Sequence, residues 1–125
     1  PESTNAKEVN ALVKELDFKL EKKAFEVAKQ YNRISDFKAS IAAIDHFIID
    51  FAGTSLREEA LYIRFDSAYQ LASKSVEYKK KARLEAALTY YNNFKKAYAN
   101  SEFLEDATTK YESALEQLEQ YNTKS

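Results

Sequence analysis

Residues 36–62 return 47 positions later as residues 83–109, and this self-similarity limits the architectures the chain can adopt. Phe37 matches Leu84, Ala39 matches Ala86, Ile41 matches Leu88, Ile44 matches Tyr91, and Phe47 matches Phe94. Phe51 matches Tyr98 and Ala60 matches Ala107. Within each copy the apolar residues fall three and four apart, as on one face of an α-helix, and nowhere alternate as a strand would. A recurrence of this length marks an α-helical repeat, in which each unit buries its apolar face against the next. The expected fold is therefore all-α: a solenoid of about five antiparallel helices.

The chain of 125 residues has one glycine and one proline, so turns must be few and short. Nine tyrosines and eight phenylalanines argue against disorder. Nineteen basic and 20 acidic residues leave a net charge of −1, which gives no footprint for nucleic acid. Without cysteine there is no disulfide and no thiol chemistry. No apolar run approaches the roughly 18 residues of a membrane span. The chain opens at Pro1-Glu2-Ser3 without a methionine, and the expectation is a piece of a longer protein.

The first helix is predicted over about 5–32, with Val9, Leu12, Val13, Leu16, Leu20, Ala24, Val27, Ala28 and Tyr31 as its inner stripe. Ser3, Thr4 and Asn5 are its candidate N-caps. Ser35 or Asp36 caps a second helix ending near Phe51, where Gly53 suits a left-handed terminating position; Asn100 holds the equivalent place in the second copy. Ser55-Leu56-Arg57-Glu58 reads as a capping box opening a third helix to about Ala72. That helix is apolar on several faces, as a middle helix of a stack must be. A fourth helix begins after Ser75 and ends near Tyr98. A fifth runs over about 102–121 and buries Phe103, Leu104, Ala107, Tyr111, Ala114, Leu115, Leu118 and Tyr121, leaving a frayed tail from Asn122. The domain is thus about two repeats, 20–51 and 56–98, plus the closing helix 102–121.

No catalytic set emerges: there is one histidine, no cysteine and no glycine-rich phosphate loop. Asp45, His46 and Asp50 lie within about a turn of each other but make a poor metal-ligand set. No cofactor is expected. Helical repeats bind partners through the surface lined by the first helix of each pair, which nominates Arg57, Tyr62, Arg64 and Tyr69 of the third helix. The 47-residue period exceeds a 34-residue repeat by 13, and the excess falls near Lys74, Lys79, Lys80, Lys81 and Arg83. Such a run is either a solvated helix start or a contact for lipid headgroups or an acidic partner.

Ala24, Val27, Ala28 and Tyr31, followed by Ser40-x3-Ile44 and Ala87-x3-Tyr91, fit the sizes of the tetratricopeptide pattern, with Ala52 and Ala99 where its proline stands. Ser3…Glu8-Val9, Thr54…Glu59-Ala60 and Ser101…Asp106-Ala107 repeat one turn: Ser or Thr, four residues, an acid, a small apolar residue. With Pro1, and with the stretches 20–31, 35–40, 57–62 and 67–72, this resembles the BamD family of outer-membrane β-barrel assembly lipoproteins, in its C-terminal half. The resemblance implies a non-catalytic docking module on the periplasmic face of the outer membrane. Its partners would be other assembly subunits, above all the periplasmic domains of the barrel-forming subunit. Its only membrane attachment would be a lipidated cysteine upstream of Pro1. The rival reading is a general tetratricopeptide adaptor unrelated to barrel assembly, binding a peptide in its groove.

Overall fold

The computed structural model describes residues 2–124, with side chains from Asn5 onward. Five helices follow in order, α1 (Glu2–Arg33), α2 (Phe37–Asp50), α3 (Arg57–Ser73), α4 (Glu77–Ala97) and α5 (Leu104–Lys124), with no strand among the described residues. Each packs on its chain neighbours. In addition α1 touches α3 and α3 touches α5, whereas no Cα of α2 comes within 8 Å of one in α4. The layer formed by α1, α3 and α5 is therefore the tighter, inner layer of the curve.

Three apolar clusters run through the stack. Phe25 and Ala28 meet Ile44, Phe47 and Ala60. Leu61 and Phe65 meet Tyr91, Phe94 and Ala107. Ala72, Leu84 and Ala114 close the far end. Each buried Phe contributes on the order of 2–3 kcal/mol by leaving water. Ala28, Ala60, Ala87, Ala107 and Ala114 are wholly buried, and their small side chains let the helix backbones approach closely. The middle helix is buried on several sides, as its sequence requires: Ala60, Leu61, Phe65, Ser67, Ala68 and Ala72 all lie inside.

The repeat is visible atom by atom. Phe25 stacks on Phe47 at 5.4 Å between ring centroids, and Tyr62 sits against Phe94 at 6.1 Å. Phe47 and Phe94 are 47 apart, yet Phe25 and Tyr62 are 37 apart. Both hairpin turns have three residues, 34–36 and 74–76, so the ten-residue difference lies in longer helices rather than in a loop. The inter-repeat turns match as well. Thr54 Oγ1 accepts from the Leu56 N–H at 3.0 Å and donates to Glu21; Ser101 Oγ accepts from the Phe103 N–H at 3.0 Å and donates to Glu58.

Several sequence expectations give way. The first helix begins at Glu2, so Asn5 lies inside it, while the Ser3 and Thr4 side chains fall outside the described residues. Val9, Leu12, Val13, Leu16, Leu20 and Val27 are exposed rather than inner; of the expected stripe Ala28 is buried, and it is joined by Phe25, which the stripe did not include. No glycine has positive φ, so Gly53 is not left-handed, and neither is Asn100; Ser35, at φ 65°, is the left-handed residue among those described. The helices end instead at Phe51 and Tyr98, whose carbonyls accept from Thr54 and Ser101 three residues on. Leu56, not Ser55, is the cap position of α3, and Thr54 supplies the hydroxyl there. The last helix starts at Leu104 and continues through Asn122 to Lys124, and Leu115 is exposed.

Candidate functional site

The inner layer carries a polar seam linking α1, α3 and α5. Tyr62, Asp66 and Gln70 follow one another at four-residue steps on α3, so they share one face. Asp66 is 6% exposed. Its carboxylate accepts from Asn32 of α1 at 3.0 Å, from Gln70 at 2.8 Å, and from the Lys110 ammonium of α5 at 2.8 Å. Lys110 also donates to Tyr62 Oη at 2.8 Å and pairs with Asp106 at 2.7 Å, while the Tyr62 hydroxyl donates to Asp106. Farther along the seam, Tyr69 donates to Ser113 and Gln117 to Ser73, both between α3 and α5. Lys29 joins α1 to Glu59 at 2.9 Å.

Protonation follows from this wiring. Burial, reinforced by the bond to Asp106, pushes the Tyr62 phenol up to about 12. Burial opposes the charge on Lys110, but bonds to Asp106, Asp66 and Tyr62 outweigh it and hold its pKa above the usual lysine value. Hydrogen bonds from Lys110 and Tyr62 draw the Asp106 carboxyl below the ordinary aspartate value. Tyr62 thus stays neutral, and Lys110 and Asp106 stay charged, across the physiological range.

The nominated residues of α3 do not converge. Tyr62 and Tyr69 belong to the inner seam. Arg64 points the other way, toward the outer layer: its guanidinium meets Asp45 of α2 at 3.0 Å and lies 4.3 Å over the Tyr90 ring of α4. Arg57 starts the helix and is half-buried. Lys79, Lys80 and Lys81 occupy the first turns of α4 at the end of the second hairpin, where Lys80 lines a depression with Gln117 of α5. Asp45 is engaged by Arg64, and His46 and Asp50 are exposed on the outer helix α2. Among the described residues, no group of three or more His, Cys, Asp and Glu is placed to hold a metal.

Asp66, Lys110, Asp106 and Asn32 are the seam residues that sequence reasoning missed. A signal existed for three of them. Asp66 is an acid inside the otherwise apolar core of α3, and Asp106 and Lys110 stand at the four-residue spacing of a helical ion pair.

Stacked antiparallel hairpins, an inner layer bound by a polar seam and a closing amphipathic helix define a tetratricopeptide-like repeat scaffold. The family is identifiable too: a family described as outer membrane lipoprotein, YfiO, matches residues 3–124, and the chain belongs to it. This is the BamD-like kind that the turn motifs resemble, and it is a scaffold family rather than an enzyme family. No curated protein matches the chain. Among the described residues no helix is long and apolar enough to cross a membrane.

Proposed function

We propose that the chain is a non-catalytic docking module of an outer-membrane protein assembly lipoprotein, acting on the periplasmic side to help fold and insert β-barrel proteins. The family match over residues 3–124 carries this reading. Its partners are other subunits of the assembly machinery, in particular the periplasmic domains of the barrel-forming subunit. The inner layer is the docking face, with Tyr62 and Tyr69 as contact residues; Arg64 serves the outer side, and Arg57 stands at the start of α3.

The piece is the C-terminal part of a longer solenoid tethered by an upstream lipidated cysteine. The exposed stripe of Val9, Leu12, Val13, Leu16 and Leu20 supports this, because a terminal repeat that sealed the stack would present a polar outer face. The rival peptide-groove adaptor fits less well: the polar side chains of the inner layer are bonded to one another, leaving few free groups to align a peptide backbone.

Two measurements test the reading. Affinity capture with the full-length protein should retain the barrel-forming subunit, and Tyr62→Ala/Tyr69→Ala should weaken that capture. Mass spectrometry of the native N-terminal peptide should find a lipid-modified cysteine. A soluble cytosolic protein with an unmodified N-terminus would overturn the assembly role and leave an ordinary adaptor.

A further inference from the structure

The ten residues by which the second repeat exceeds the first build a projecting tip. Relative to Leu84, the counterpart of Phe37, α4 starts seven residues early, at Glu77. At 1.5 Å per residue this adds about 10 Å of helix beyond the level of the first hairpin. At the end of that projection Tyr78 is 78% exposed and Val76 58% exposed. Tyr78 is the most exposed large hydrophobic residue among those described. Lys79 and Lys81 flank it, both exposed, and Lys79 Nζ lies 5.6 Å from the Tyr78 ring centre.

The surroundings are basic as well. Lys74 lies over Phe37 on the same hairpin end, and Lys80 and Lys124 line a shallow surface depression with Glu77. Among the residues named, two acids, Asp36, which caps α2 through the Ala39 N–H, and Glu77, stand against five lysines, Lys74, Lys79, Lys80, Lys81 and Lys124. Arg83 is tied to Ser75 at 2.7 Å, which fixes the turn that presents the tip. The N-terminus of α4 adds its own partial positive charge.

We propose that the α3–α4 tip is a contact for an anionic phospholipid surface: Tyr78 and Val76 enter the headgroup zone while Lys79, Lys80 and Lys81 lie against lipid phosphates. The composition decides between this and an acidic protein. Lysines alone would suit either, but a protein partner anchors an aromatic residue in a matching pocket within a well-packed patch. Here the aromatic and the valine crown a convex projection, the shape that a fluid interface accommodates, and tyrosine is the residue that settles at headgroup depth. The contact uses neither Tyr62 nor Tyr69, the residues proposed for docking on the inner layer, and would hold or fail regardless of the assembly role.

The chain contains no tryptophan, so Tyr78→Trp places its one tryptophan at the tip, where it can be excited at wavelengths beyond tyrosine absorption. Its emission should shift to the blue with phosphatidylglycerol-containing vesicles and stay unchanged with pure phosphatidylcholine vesicles, and high salt should reverse the shift. In co-sedimentation the unaltered protein should follow the anionic vesicles. Each lysine should account for about a fivefold change in partition, so Lys79→Glu/Lys80→Glu/Lys81→Glu should abolish sedimentation. Val76→Ser/Tyr78→Ser should weaken it, and circular dichroism should show both variants folded. No blue shift, or sedimentation that both folded variants retain, overturns the proposal. So does a protein that ignores vesicles while the lysine variant loses a co-purifying protein, an outcome that assigns the tip to a protein partner.

Discussion

The Lys110 ammonium stands 2.8 Å from Asp66 Oδ1, joining the last helix of the stack to the middle one. Replacing Lys110 by Met would strand a carboxylate that is 6% exposed with only the neutral amides of Asn32 and Gln70 for partners. An uncompensated charge in such a place costs about 3 kcal/mol. For a chain of this size the melting temperature should fall by roughly 10 °C, measured by circular dichroism. An unchanged melting temperature would show that the seam adds nothing to stability.

The seam should also make the protein sensitive to alkali. The folded state raises the Tyr62 phenol to about 12 and holds the Lys110 proton more tightly than an unfolded chain does. Both groups have folded pKa values above their unfolded ones, so their contribution is complete below about pH 10 and is lost as pH rises through the folded values. Asp106, drawn the other way, contributes above the ordinary aspartate range and loses that on acidification. It is largely exposed, so the acid effect should be small. Melting temperatures from pH 8 to pH 12 should fall more steeply for the unaltered protein than for Tyr62→Phe/Lys110→Met.

Two turn positions should respond opposite to what their residue types suggest. Gly53 has no positive φ, and a Cβ built there meets nothing within 4 Å. Gly53→Ala should therefore leave stability unchanged or raise it by about 0.5 kcal/mol, through the unfolded chain. Ser35 holds φ 65°. Ser35→Gly should relieve that conformation and stabilise by up to about 1 kcal/mol. Urea denaturation of the two variants checks both signs.

Ser40 is wholly buried where three helices meet: it donates to the Ala28 carbonyl at 3.2 Å and accepts from the Ser67 hydroxyl at 2.9 Å. Ser40→Ala should cost about 1 kcal/mol, the value of an ordinary buried hydrogen bond. Ser40→Leu should cost more, about 2–3 kcal/mol, because the larger side chain forces α1 and α2 apart. If the leucine variant melted above the alanine variant, the close approach at this crossing would not be tight.

How much of this could be read beforehand depended on the range of the interaction. The helices and the match of Phe47 with Phe94 were legible, because 3.6-residue periodicity is local. The equivalence of Phe25 and Tyr62 was not: the first hairpin is ten residues shorter, so the shift that aligns the outer helices misaligns the inner ones. Asp66 and Lys110 are 44 residues apart and meet only once the helices stack. The stripe from Val9 to Leu20 taught a different lesson. Amphipathic spacing announces that a face prefers apolar company, but it does not say whether that company lies within these 125 residues. Gly53 misled because composition signals what a residue permits, whereas the Thr54 and Ser101 turns supply the same stop by hydrogen bonding.

The neighbour-on-neighbour packing has a kinetic corollary. Each helix finds its principal partner immediately before or after it in the chain, and each hairpin closes through three residues. Little loop entropy stands between the unfolded chain and its first native contacts. Structure should nucleate in the α3–α4 hairpin, whose interface is the most extensive, and then propagate outward one helix at a time. Unfolding should run in reverse, so amide hydrogens at the start of α1 exchange first and those around Phe65 and Phe94 last.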